Sequence, residues 1–338
     1  MRLGGLETRL LEFSLAGIDI QRPIYIAGLA RSGSTVLLEW LAGVSGVATH
    51  RYRDFPFWQI PYWWNCYLER TPTPRIPVER PHGDGIMITR ESPEGIEEPL
   101  WCGWFPDLHT LPYGHQRPSS RRAEQFEGFY RSHIRKLLLI RGGQRYLAKN
   151  NYLLPRADWV WQMFPDAELI VPVRHPLSHI ASLVRQHQRF TEYARQDPRV
   201  AIYLAAAAHH EFGPQRMPIC LDEASRQYAL ECWQAGDEAA GYAIQWSQLY
   251  GLVLQLQRGE HASQVHVVRN EDICQQPGII LGDVLELVGL NVAQREELPD
   301  VRPIAPRGSA VQLTVAECHR VWDIVREVAS AFGYSPAG

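Results

Sequence analysis

The sequence predicts an α/β fold: a parallel sheet between two layers of helices, with ligands held at the carboxyl ends of the strands. Three stretches carry that expectation, because each runs from a short apolar strand through a turn into a helical pattern. They are residues 23–42, 146–164 and 168–183. Strands that alternate with helices in this way pair in parallel, since each helix supplies the crossover.

Taken in order, residues 6–20 alternate weakly and read as a leading strand or hairpin. Pro23-Ile24-Tyr25-Ile26-Ala27 is a buried strand bounded by Pro and Gly. Gly28-Leu29-Ala30-Arg31-Ser32-Gly33-Ser34-Thr35 follows, and the helix 36–42 ends at Gly43. The turn has the spacing G-x-x-x-x-G-[K→S]-[S/T], a P-loop in which Ser34 replaces the usual Lys. Backbone N–H groups and the positive helix end converge there on an anion, and Arg31 adds a cation. Without the Lys the loop suits a single phosphate better than a triphosphate. The fold is therefore of the three-layer P-loop type.

Val47–Tyr52 reads as a second strand. Residues 50–120 are dense in aromatics, Pro and His, and read as an insertion that walls an acceptor pocket. Inside it, Gly85–Glu91 is a strand, and Ser92-Pro93-Glu94 starts a helix that Pro99 must distort. On that helix Glu94, Glu97 and Glu98 read as surface carboxylates. An amphipathic helix covers 121–139, and the strand 146–149 delivers Lys149 to the crevice.

Glu168–Val173 is the next strand; Pro172 within it implies an edge or a bulge. Arg174 ends it, Pro176 opens the next helix, and Ser182 stands eight positions beyond Arg174. Residues 187–225 read as a second insertion, a lid or an oligomer contact. The tract 223–257 is two helices or one kinked at Gly236 and Gly241. A strand at 264–269, a helix from Asn270-Glu271-Asp272, and a capping box Thr314-x-x-Glu317 complete the chain, read as one domain over 1–338.

Arg31-Ser32-Gly33-Ser34-Thr35 resembles the 5′-phosphosulfate loop of sulfotransferases that use 3′-phosphoadenosine 5′-phosphosulfate (PAPS). Arg174 and Ser182 are similar to that family's 3′-phosphate site, and Arg307-Gly308 matches part of its R-K-G loop. The resemblance implies sulfuryl transfer to a hydroxyl, or less readily an amine, of a small molecule or glycan. The product is 3′,5′-bisphosphoadenosine (PAP). It implies no metal, and it admits a homodimer. Arg31 and Lys149 are then the cations of the reaction. The resemblance leaves the base open between Glu91, His50 and a neighbouring carboxylate, with Glu91 favoured; His175 orients its turn.

Composition narrows the remaining classes. With 45% hydrophobic residues, 11 Trp and 14 Tyr, the 338-residue chain has ample material for a core. A net charge of −3 gives no basic field for nucleic acid. The six Cys form no C-x-x-C pair, which argues against zinc and a disulfide framework and suits a reducing cytoplasm. No apolar run approaches bilayer length. Two other readings stand beside the sulfotransferase: a P-loop kinase, opposed by Ser34, and a nucleotide-binding module without catalysis.

Overall fold

The computed structural model describes residues 2–71, 76–109, 119–290 and 312–336. The chain opens with helices α1 (Arg2–Leu10) and α2 (Glu12–Leu15), where a strand is expected from the sequence. The alternation there is a helical stripe: Glu7 is fully buried against Lys136, 2.9 Å away, while Leu3, Leu6 and Leu10 stay exposed.

Next come β1 (Ile24–Ala27), α3 (Ser34–Ala42), β2 (Val47–Ala48), α4 (Pro61–Arg70), the hairpin strands β3 (Val78–Glu79) and β4 (Met87–Ile88), α5 (Glu97–Trp104) and α6 (Arg121–Arg141). Then follow β5 (Arg145–Asn150), α7 (Ala157–Met163), β6 (Glu168–Val173), α8 (Pro176–Gln196), α9 (Arg199–Ala206), α10 (Glu223–Gln234) and α11 (Glu238–Leu256). The chain ends with β7 (Val265–Arg269), α12 (Asn270–Gln275), α13 (Pro277–Leu287) and α14 (Val315–Ala331).

The main sheet has the order β2-β5-β1-β6-β7, and every pair in it is parallel. Period-2 alternation sends one set of side chains to each face. Ile24, Ile26, Leu147 and Ile170 pack with α3 and α13 on one side. Tyr25, Tyr146, Leu169 and Val171 pack with α6, α7, α8 and α11 on the other. The three-layer α/β fold is as the strand–turn–helix repeats imply.

Several elements depart from expectation for local reasons. Pro172 lies in an interior strand, not at an edge. β1 pairs with β6 only as far as Ile26↔Ile170, so the missing amide falls beyond the last β1–β6 pair, where Gly28 packs against the proline. The Pro172 carbonyl instead accepts from the Tyr250 hydroxyl at 3.0 Å. α5 starts at Glu97 rather than at Ser92, which puts Pro99 in the first turn, where its absent N–H costs no helical bond. α8 runs unbroken to Gln196, past residue 187, where an insertion is expected to begin. The tract 223–257 divides into α10 and α11 at Gly236, whose φ is +81°; Asp237 then caps α11. Gly241 stays within α11, where any Cβ would meet the Trp233 indole.

Candidate active site

The loop between β1 and α3 is tightly specified. Gly33 has φ +105°, and a Cβ there would lie 2.6 Å from Asn270 Nδ2, so only glycine fits. Arg31 is a non-glycine residue at φ +73°, a conformation that costs about 1–3 kcal/mol and needs support from its surroundings. That support is visible. Arg174 Nη1 donates to the Arg31 carbonyl at 3.2 Å, and His179 Nε2 bonds the Ala30 carbonyl at 2.8 Å. The Arg31 guanidinium donates to Ser182 Oγ at 3.4 Å and to Asp84 Oδ2 at 2.7 Å. Burial lowers the pKa of Arg31, and Asp84 offsets part of that.

The two sequence motifs therefore meet. Arg174 and Ser182, from the β6–α8 unit, stand directly beside the loop that carries Arg31. Their turn is anchored from two distant segments. The His175 amide donates to Glu271 Oε1 at 2.9 Å, and the Tyr334 hydroxyl donates to Oε2 at 2.8 Å. The His175 ring bonds the Ser335 carbonyl at 2.9 Å. His175 is thus placed to orient its turn, and Glu271 anchors that turn through a backbone amide and a tyrosine hydroxyl. Arg307 and Gly308 lie outside the described residues.

On its other side the loop opens on a cleft lined by Arg31, Ser34 and Thr35. Ser32 is fully buried behind them. Lys149, at the end of β5, reaches Thr35 Oγ1 at 3.4 Å. Its other neighbour is Glu94 Oε1, at 3.7 Å. Burial alone would raise the Glu94 pKa, but Lys149 and the Tyr52 hydroxyl outweigh it and hold the carboxyl below its ordinary value. Further along the cleft His209 pairs with Glu211 at 3.3 Å. Burial opposes the charge on His209, yet Glu211 and Glu94 leave its pKa raised. Phe190, Tyr203 and Phe212 supply an apolar wall.

Neither Glu91 nor His50 is among the residues lining this cleft. Glu91 is held by Arg51 and Arg53, each at 2.9 Å. His50 is buried between Asp54 and His133, with both ring nitrogens engaged at 3.0 Å. The His50 backbone nonetheless matters: its carbonyl accepts the Glu94 amide at 3.0 Å. Residues 51–53 continue that pairing, with Tyr52 N on Ser92 O at 3.1 Å and Arg53 N on Arg90 O at 2.8 Å. The antiparallel crossing aims Glu94 into the cleft. Gly95 lets this segment press on β5, since a Cβ there would come within 2.8 Å of the Lys149 carbonyl.

Glu97 and Glu98 correct a second expectation, because both are buried rather than on a helix surface. Glu98 accepts from Arg156 at 2.5 Å and from Asn150 at 2.9 Å. His109 and Cys102 lie beside Glu98 in the sole three-residue group of metal-type ligand atoms among the described residues. The donor set suits a cation poorly, since Arg156 already balances Glu98, and burial and Glu98 push the Cys102 thiol up. None of the six cysteines forms a disulfide.

Sequence reasoning missed Tyr52, Arg80, Glu94, His209 and Glu211 as cleft residues, and Asp84 as the partner of Arg31 and Arg80. Glu94 follows Ser92-Pro93 and looks like an ordinary helix start; Arg80 and Asp84 stand in a Pro- and Gly-rich turn with no motif. His209-His210-Glu211 offered a signal, a histidine two residues before a carboxylate.

The structure thus combines a glycine-containing strand–helix loop, two arginines beside it and a cleft on its other side in one α/β fold. The chain belongs to the sulfotransferase family, whose model matches residues 23–219. No curated protein matches the sequence. Sulfotransferase STF1 from Mycobacterium tuberculosis H37Rv is similar in structure, with 15% identity and a TM-score of 0.52 over 95% of this chain and 81% of that one. Sulfotransferase STF9 from Mycobacterium avium has 13% identity and a TM-score of 0.53 over 97% and 82%. At such identities the likeness speaks for the fold. Among the described residues no helix is long and apolar enough to cross a membrane.

Proposed function

We propose that this protein transfers a sulfuryl group from PAPS to a hydroxyl of a small-molecule or glycan acceptor in the cleft beside the loop. The observation that carries the reading is the juxtaposition of Lys149 with both Thr35 of the loop and Glu94 of the acceptor side, 3.4 and 3.7 Å away. One cation thus stands between an anion cradle and a carboxylate base.

The donor's 5′-phosphate fits the loop amides and Arg31, and its 3′-phosphate fits Arg174 and Ser182. Guanidinium suits a phosphate monoester, and Ser182 adds a hydroxyl. Glu94, ionised by its surroundings, accepts the proton of the attacking hydroxyl. Lys149 and Arg31 stabilise charge that grows on the leaving phosphate oxygen and on the sulfuryl oxygens. These charges are fixed before reaction, so little reorganisation is needed. The aromatic wall favours an acceptor with an apolar or stacking face. Glu94 takes the role assigned from the sequence to Glu91 or His50, because it alone of the three faces the cleft.

Titration of PAP without magnesium into wild type and Arg174→Ala, with a sulfuryl-transfer assay over an acceptor panel, tests this reading. Losing a charged partner of the 3′-phosphate weakens binding by about 2–3 kcal/mol, roughly thirty- to 150-fold. Equal binding by both proteins removes the 3′-phosphate assignment. Tight binding with no turnover favours a nucleotide-binding module, and preference for ATP with magnesium favours a kinase.

A further inference from the structure

The β3–β4 hairpin places a carboxylate against the anion cradle. Asp84 Oδ2 accepts from Arg31 Nη1 at 2.7 Å. Arg80 grips both oxygens of the same carboxylate, with Nε at 2.9 and 3.1 Å. Arg80 also extends Nη1 to Thr35 Oγ1 at 3.1 Å, on the hydroxyl that Lys149 reaches from the other side. Two arginines thus hold one acidic side chain, which is only 15% exposed, and one of them also reaches the first turn of α3 through Thr35.

The turn that delivers this carboxylate is a rigid device. Asp84 is flanked by Gly83 at φ +60° and Gly85 at φ +73°. Its tip is pinned to α8, where Gln186 Nε2 and Arg189 both donate to the His82 carbonyl. A Cβ on Gly83 would collide with the Arg189 guanidinium. The His82 ring packs against Phe190 and Phe212 in the acceptor wall. The aim of Asp84 is therefore set by the frame of the cleft and not by chance placement of a surface loop.

We propose that Asp84 is a tethered stand-in for the donor's sulfuryl or phosphoryl oxygens, and that Arg80 is a donor-binding residue which Asp84 holds ready. This rests on the donor reading above. In the empty protein the carboxylate keeps Arg31 and Arg80 paired, so their mutual repulsion is balanced. A ligand must displace it to reach the loop. A small anion such as inorganic sulfate competes against a group already held in place. A donor that also engages Arg174 brings a second anchor and wins. Asp84 therefore sets selectivity against simple anions, and Arg80 passes from the carboxylate to the donor.

Calorimetric titration of PAP and of inorganic sulfate into wild type, Asp84→Asn and Arg80→Ala tests the proposal. Asp84→Asn should bind sulfate at least about tenfold tighter than wild type and PAP tighter as well; Arg80→Ala should bind PAP about tenfold weaker. Asp84→Ser serves the same purpose if the Asn variant does not fold, judged by circular dichroism. If folded Asp84 variants bind both ligands as wild type does, or less tightly, the stand-in is refuted and Asp84 only positions Arg80. If wild type fails to bind PAP, the donor reading itself falls, and that outcome differs from the first.

Discussion

Four glutamates lie within eight residues, from Glu91 to Glu98, and the cleft and the interior put them to opposite uses. Glu97 is closed on all sides: Tyr130 donates to it at 2.6 Å, and Tyr146 and Trp101 also donate. Burial raises its pKa despite those bonds. Glu98 is equally dry, but burial loses to Arg156 and His109, which hold it down to about 2. Glu94 is held by Lys149, the Tyr52 hydroxyl and the Gly95 amide, yet it still lines the cleft, where a ligand can reach it. The difference is one of completed versus incomplete solvation. A carboxylate whose acceptor sites are all filled by fixed donors contributes to the fold, whereas one left with open lone pairs can take a proton from a ligand.

The largest test of that contrast is Glu94→Gln. The variant should lose about 10²–10⁴-fold in transfer rate while PAP affinity and melting temperature stay near wild type. Parallel loss of stability would class Glu94 with its buried neighbours. Glu98→Gln should do the reverse. Removing the carboxylate opposite Arg156 in the interior should cost about 3 kcal/mol in denaturant unfolding, with near-normal turnover of the folded fraction.

The pH profile sharpens the comparison further. Because Glu94 is held below its ordinary value, it stays ionised as pH falls and loses its charge only below the ordinary carboxylate range. The rate should then be flat between about pH 6 and 8. An acid limb above the ordinary imidazole range would give the proton to an imidazole instead, with His209, whose pKa is raised, the first to replace. The smallest effect is expected of Glu91→Gln. Its carboxylate lies between Arg51 and Arg53 away from the cleft, so rate and stability should change by less than about 1 kcal/mol.

What the sequence made legible divides along the same line. The loop 28–35, Lys149 and the Arg174–Ser182 pair were readable because each is local. A strand end, a turn and a helix start fix where those side chains point. Glu94 was not readable, since its aim depends on residues 50–53 crossing 90–94, a pairing that no short-range pattern announces. A shift of three residues separates it from Glu91, and only that crossing decides between them. Pro172 misled for a related reason: a proline disfavours an interior strand unless its neighbour has already ended, and where β1 ends is a property of the assembled sheet. The helical start of the chain was obscured because Leu3, Leu6 and Leu10 form a stripe that faces away from the core.

Glu271 joins the turn behind Arg174 to the tyrosine just past the last helix, segments some 160 residues apart in the chain. One carboxylate thus makes the carboxyl-terminal helix a distant gauge of events at the turn. A ligand that stiffens the turn should slow amide hydrogen exchange across α14, far from any atom it touches. In Glu271→Gln that reporting should fade, leaving occupied and empty protein with the same exchange rate at the end of the chain.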